Sequence, residues 1–255
     1  MKIAILLTDV DDSDFTRSFP DDADKFRRLL HPLRPEWSFV TYPVKDGIFP
    51  ADISAYDGIL ITGSPASVHD DRPWIPVLFD LIREADRRRI PMVGACFGHQ
   101  AIATALGGCV AKNEAGWGLG ATTTTFVRHL DWMRPRHRAI RLYCAHNEQV
   151  VKLPEDAIVL GYDPIAPVSA FAIGGHVLCT QHHPEMTPDY VAGLLDYIEG
   201  DIDPEVMARA RWSTAGGAEG TKFAGWIAAF YEAAHANMHQ LPANRSPASR
   251  RLHAA

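Results

Sequence analysis

Cysteine is scarce in this chain. Its four copies (Cys96, Cys109, Cys144 and Cys179) are spread over 255 residues, and none forms a C-x-x-C pair. That is no disulfide framework of the kind that staples small secreted domains. It also argues against a zinc ribbon, and no metal is expected. Long apolar runs are absent too, so nothing approaches the roughly 20 residues of a bilayer-spanning helix. The opening segment MKIAILLTDVDD has a short apolar run that ends in acids. It lacks the length and cleavage site of a signal peptide. Positive charge is in deficit, with a net charge of -6, which favours neither nucleic acid nor an anionic membrane surface as partner. A soluble, cytoplasmic protein is expected.

What is present can build a core. Hydrophobic residues make up 47% and charged residues 22%, which suits one large domain or one domain with an appendage. Short apolar runs at 2–8, 37–44, 56–64 and 90–96 read as strands. Helical patterns at 22–33, 73–88 and 98–106 alternate with them. This alternation predicts an α/β fold, a mostly parallel central sheet with helices on both faces. Between 120 and 182 five strand-like runs follow one another, so a smaller mixed or antiparallel section is expected there. Thr187 as N-cap and Pro188 at the first helical position start a helix over 187–200. Two more helices are expected near 203–211 and 220–237. The expected organisation is a catalytic domain over 1–200, a helical extension over 201–240 and a disordered tail over 241–255, where apolar content is low.

The segment GACFGHQ (94–100) places Cys96 between Gly94 and Gly98. A strand that turns abruptly into a helix leaves little room at its corner, and side chains two residues either side of the apex would collide. Two glycines there predict a nucleophile elbow. The elbow sets a thiol at a helix N-terminus, which favours the thiolate. It also aims the Phe97 amide at the place where a tetrahedral oxyanion would form. The plain alternative is a buried cysteine in an ordinary strand–loop–helix. A nucleophilic cysteine needs a base, and LCTQHHPEM (178–186) offers one. An apolar strand ends in His183, and Pro184 turns the chain so that Glu185 folds back on the imidazole. The carboxylate then fixes the tautomer and leaves the other ring nitrogen for the thiol. Strand alternation is expected to turn the neighbouring His182 the other way.

Together, GACFGHQ and QHHPE resemble the class I glutamine amidotransferases, whose G-x-C-x-G-x-Q motif precedes a His-Pro-Glu at a similar spacing. ILITGSPASV (59–68) resembles that family's oxyanion strand. GWGLG (116–120) and CAHNEQV (144–150) fit as well, and the likeness runs over about residues 1–200. The resemblance implies Cys96 as nucleophile, His183 as acid and base, and Glu185 as its orienter. It implies oxyanion donors at Phe97 and at Gly63 or Ser64, with Gln100 contacting the bound glutamine. Ser64 stands where the family has a second glycine, so either amide could point inward. His146, at a strand end, lines the pocket or makes a structural hydrogen bond. The implied reaction is hydrolysis of the γ-carboxamide of glutamine or another γ-glutamyl compound through a γ-glutamyl thioester, with no cofactor. LLTDVDDSDF, CFGHQ and CAHNEQV are similar to stand-alone γ-glutamyl peptidases. The rival readings are a glutaminase that donates ammonia to a separate synthase, and a catalytically silent binding or regulatory module. The presence of all three catalytic residue types stands against the last.

Two other features invite simpler explanations. An EF-hand loop starting at Asp9 would need glycine sixth and glutamate twelfth, where the chain has Asp14 and Pro20. A loop bordering the substrate mouth is expected instead. STAGGAEGTK (213–222) lacks the phosphate-loop spacing and reads as a helix–helix linker. Cys109, Cys144 and Cys179 are expected to be small apolar core residues.

Overall fold

The computed structural model describes residues 1–240. In chain order the elements are β1 (Lys2–Leu7), α1 (Asp14–Arg17), α2 (Asp22–Leu30), β2 (Ser38–Pro43), β3 (Gly58–Ile61), α3 (Trp74–Arg87), β4 (Met92–Ala95), α4 (Phe97–Ala105), β5 (Cys109–Lys112), β6 (Gly118–Phe126), β7 (Ala139–His146), β8 (Glu148–Lys152), β9 (Ala157–Tyr162), β10 (Ala170–Ile173), β11 (Val177–Thr180), α5 (Pro188–Ile198), α6 (Pro204–Thr214) and α7 (Gly220–Gln240). The expected tail lies outside the described residues. No described helix is long and apolar enough to cross a membrane.

Nine strands form one sheet in the order β2-β1-β3-β4-β11-β10-β9-β6-β7. The pairs from β2 to β11 are parallel, and those from β11 to β7 are antiparallel. β3, β4 and β11 are buried along their whole length, as central parallel strands between two helical layers must be. On one face, Phe26 of α2 and Trp226 and Phe230 of α7 share a core with Ile3, Ile5 and Leu60. On the other, Trp74, Leu78 and Ile82 of α3 and Ala101 and Ile102 of α4 cover Ile59, Ile61 and Met92. The helices of the C-terminal segment are not loosely attached. Tyr231 donates from its hydroxyl to the Ile59 carbonyl at 2.7 Å, which joins α7 to the centre of the sheet.

Local chemistry sets the helix ends. Asp21 caps α2 by accepting from the Asp24 amide, with acids in the first turn and Arg27 and Arg28 in the last. Thr187 caps α5 in the same way, and Pro188 begins it. Two expectations need correction. β5 and β8, a separate two-stranded antiparallel sheet, were not anticipated, because their four- and five-residue runs are half polar. Cys144 and Cys179 are buried, but Cys109 is exposed. It opens β5 where the register with β8 shifts, outside the cores.

The turn between β4 and α4 is tight. Cys96 caps α4 with φ 50° and ψ -104°, a conformation that costs a non-glycine residue roughly 1–3 kcal/mol. The two glycines relieve different contacts. A Cβ on Gly94 would meet the Gly98 carbonyl carbon at 2.6 Å. One on Gly98 would strike the Ile61 carbonyl of β3, with the Ile61 Cβ at 2.9 Å. The second glycine therefore makes room for the neighbouring strand, not for the first glycine. Gly98→Ala is expected to cost at least about 2 kcal/mol, read as a lower urea midpoint. Gly225→Ala, in α7 where nothing lies within 4 Å, serves as control and is expected to be neutral or to stabilise by up to about 1 kcal/mol.

Candidate active site

The ends of β1, β3, β4 and β11 converge on one cavity of about 770 Å3, whose lining includes Asp9, Asp22, Ser64, Cys96, Gln100, His146 and His183. Carboxyl ends of parallel strands are the usual place for such a site. Cys96 is held by its amide on the Thr180 carbonyl at 2.9 Å, and the Gly98 amide donates to Thr62 at 3.1 Å. The Phe97 amide opens α4 and so has no carbonyl four residues back within the helix. His183 follows β11, and its amide donates to the Tyr143 carbonyl at 2.9 Å. Its Nδ1 lies 2.6 Å from Glu185 Oε1. Burial opposes charge on this imidazole, yet Glu185 and Cys96 outweigh it and raise the His183 pKa well above the usual histidine value. The structure thus brings Cys96, His183 and Glu185 together, with Cys96 and His183 on the wall of one cavity and Glu185 against the imidazole.

The other residues singled out in the sequence occupy distinct places. Ser64 borders the cavity and Gly63 does not. A Cβ on Gly63 would meet His183 Cε1 at 2.8 Å, so this glycine lets the imidazole lie across the exit of β3. Gln100 lines the cavity and donates to the Glu148 carbonyl at 2.9 Å and to Gln181 Oε1 at 3.3 Å. Both amide hydrogens are therefore used, and its Oε1 remains an acceptor. His146 lines the cavity as well, and it makes a structural hydrogen bond, from Nδ1 to the Glu148 carbonyl at 3.0 Å. Burial, then the charge of His182, push its pKa down to about 3. It is a neutral imidazole whose Nε2 has no partner.

His182 does not line the cavity, but strand alternation is not the reason, since β11 stops at Thr180. His182 is instead captured by Asp163, Nε2 to Oδ2 at 2.5 Å, with both side chains 0% exposed. Asp163 is fixed in turn by the amides of Ile165 and Ala166.

The expected loop at the mouth is there, with Asp9 and Asp11 in the cavity wall, and the structure adds further neighbours. Asp22 pairs with Lys25 at 2.9 Å, and the Lys25 ammonium lies 3.4 Å over the Tyr190 ring. Burial raises the Asp22 pKa, with Lys25 opposing. Asp9 is pushed up to about 7 by burial and by Asp22. Gln181, within the quoted QHHPE, approaches Cys96 Sγ with its Nε2 at 3.8 Å.

The family model for glutamine amidotransferase class-I matches residues 34–191. The chain belongs to the class I glutamine amidotransferase family. Among its relatives, γ-glutamyl peptidase 4 of Arabidopsis thaliana is 32% identical over 197 residues, 73% of this chain and 77% of the relative. A glutamine-hydrolysing GMP synthase subunit of Methanosarcina acetivorans is 31% identical over 132 residues, 51% of this chain and 65% of the relative. The crystal structure of a glutamine amidotransferase from Thermotoga maritima superposes with a TM-score of 0.71 at 18% identity, covering 92% of this chain and 97% of that one. This last likeness concerns the fold.

Two outcomes follow from the buried charges. His182→Ala leaves the Asp163 carboxylate buried without its partner and is expected to cost about 3–5 kcal/mol, measured by thermal or urea unfolding. Asp9 titrates near 7 folded and near 3.9 unfolded. A raised folded pKa means that its contribution is intact below the unfolded value and is lost as pH rises through about 7. Asp9→Asn is therefore expected to match the parent near pH 4 and to exceed it at pH 8, by on the order of 1–4 kcal/mol.

Proposed function

We propose that this amidotransferase hydrolyses γ-glutamyl amide bonds on its own, with Cys96 as nucleophile, His183 as acid and base, and Glu185 as the group that orients His183. The observation that carries this reading is a cysteine at a strained elbow, opening onto the same cavity as a histidine whose far nitrogen is held by a buried carboxylate. His183 accepts the thiol proton, and the sulfur attacks the γ-carbonyl carbon. The oxyanion is held by the amide of Phe97, which opens α4, and by that of Gly63 or Ser64, of which Ser64 borders the cavity. The tetrahedral adduct collapses, the carbon–nitrogen bond breaks, and His183 passes its proton to the departing amine. The γ-glutamyl thioester is then cleaved by a water that gives its proton to His183. Glutamate leaves and the thiol is restored. Gln100 Oε1 is the acceptor offered to the bound glutamyl group.

The cavity volume of about 770 Å3 lies in the range of drug-sized ligands. This supports a leaving group larger than ammonia, as does the likeness to a γ-glutamyl peptidase. The likeness to a subunit of GMP synthase favours a second reading, in which the chain releases ammonia for a partner synthase.

Glutamate release from glutamine, γ-glutamyl dipeptides and glutathione-type conjugates by the purified chain separates these readings. The expected result is turnover of the dipeptides or conjugates without any partner, reduced by about a thousandfold or more in Cys96→Ala. Glutaminase activity that arises only with a synthase present replaces the stand-alone reading with the ammonia-donor one. No turnover under either condition leaves a silent binding module.

A further inference from the structure

Gln181 follows directly on the last residue of β11 and is fully buried. Its backbone amide is held by the Ser169 carbonyl at 2.8 Å. Its side chain makes two contacts, one to Gln100 and one to the sulfur of Cys96.

The neighbours decide which end of this side chain faces the sulfur. The Glu148 carbonyl can only accept, and it takes two bonds, from His146 Nδ1 at 3.0 Å and from Gln100 Nε2 at 2.9 Å. Gln100 must therefore present its nitrogen there. The other hydrogen on that nitrogen goes to Gln181 at 3.3 Å, so Gln181 turns its oxygen towards Gln100. What remains for Cys96 is Nε2, 3.8 Å from Sγ. A flipped Gln181 would set two N–H groups against each other and turn carbonyl lone pairs onto the sulfur. In the observed arrangement the donors run one way, from Gln100 to Gln181 to Cys96. The bond accepted at Oε1 polarises the Gln181 amide and makes its N–H a better donor.

We infer that Gln181 is a further catalytic residue: its Nε2–H donates to Cys96 Sγ and stabilises the negative charge on the sulfur, and Gln100 holds it in that orientation. A hydrogen bond to a charged acceptor is about twice as strong as one to a neutral acceptor. The sulfur is charged at two points in the proposed cycle. The first is when His183 has taken its proton. The second is when the carbon–sulfur bond of the hydrated thioester breaks and its electron pair returns to sulfur. In the thioester between them the sulfur is neutral, and the bond is worth little. The resting contact of 3.8 Å is long, as catalytic hydrogen bonds often are before charge develops. Gln181 is not part of the cavity wall, so it reaches the sulfur without occupying the side on which the γ-carbonyl arrives. The titratable groups that face Cys96 are His183 and Cys144. Burial keeps the Cys144 thiol neutral, and the His183 proton moves during the reaction. The Gln181 amide is a donor that never titrates.

This role rests on Cys96 as the nucleophile, and two measurements read it without a substrate. In the full chain, iodoacetamide labelling across pH is followed on the Cys96 peptide by mass spectrometry, which separates it from the exposed Cys109. Gln181→Leu removes the donor and is expected to raise the pH midpoint of labelling by about one unit, as the loss of one hydrogen bond to a charged group does. Gln181→Glu keeps an oxygen for Gln100 but loses the donor, and is expected to raise the midpoint at least as far. In the parent, the side-chain amide signals of Gln181 in 15N NMR are expected to move with the labelling midpoint, and to lose that transition in Cys96→Ala. This second measurement decides the matter if neither variant folds. Once a substrate is in hand, kcat/KM of Gln181→Leu falls by about tenfold at pH values below the midpoint, and the acid limb of its pH profile moves up with the labelling. A folded Gln181→Leu or Gln181→Glu with the parental midpoint overturns the inference, even if its melting temperature or kcat falls. Gln181 amide signals that ignore the ionisation of Cys96 overturn it as well. Absence of turnover on every γ-glutamyl compound counts against the proposed reaction and leaves the labelling and NMR outcomes readable.

Discussion

The backbone of α4 must pass against β3 and β4 closer than any side chain permits, and the rest of the site depends on that approach. Gly94 and Gly98 remove the two Cβ atoms that would prevent it. The chain can then reverse from strand to helix within one residue, and Cys96 takes the positive φ that this reversal demands. The sheet order β3-β4-β11 does the remaining assembly. It sets Gly63, Cys96 and His183 at three adjacent strand ends, although they are far apart in the chain. Gly63 contributes by lacking a side chain where the His183 ring lies.

Charge is distributed unevenly around that centre. Near β1 and α2, the carboxyls of Asp9 and Asp22 are harder to ionise, first because they are buried and then because each lies near another carboxylate, with the Lys25 ammonium opposing. Near β7, buried His146 and His99 are kept neutral by burial and by His182. The imidazole of His183 lies between the two regions. It is the histidine of the cavity on which positive charge is favoured, because Glu185 and Cys96 both face it. Of the two histidines that line the cavity, His183 is thus the one suited to carrying a proton through a reaction.

The features legible in the sequence are those fixed by neighbours in the chain. Two glycines at fixed distances from a cysteine report a turn that few other residues can make. Proline after His183 reports a bend that returns Glu185 to it. The β-α alternation reports the parallel half of the sheet, and the run of strands from 120 to 182 reports the antiparallel half. The loop of Asp9 is legible as a border of the mouth, but Asp22, Lys25 and Gln181 are not legible as site residues, because sheet order, a non-local property, carries them there. His182 shows the limit of local rules. Its orientation is set by Asp163, a partner 19 positions away, after the strand whose alternation was invoked has already ended. β5 and β8 escaped because short, half-polar runs carry too little periodicity to be told from loop.

The bond from Tyr231 to Ile59 spans 172 positions, and it has a consequence for synthesis. Strand β3 lies next to the strand that delivers Cys96, yet the helix that seals its other face is the last of the described elements in chain order. A nascent chain that has already translated both sequence motifs still shows the ribosome-side chaperones an open apolar sheet face, where Trp226, Phe230 and Tyr231 will later sit. The face of the sheet behind β3 therefore closes well after Cys96 has been made, and the folding of the elbow is separated in time from that of its support by the length of chain between them.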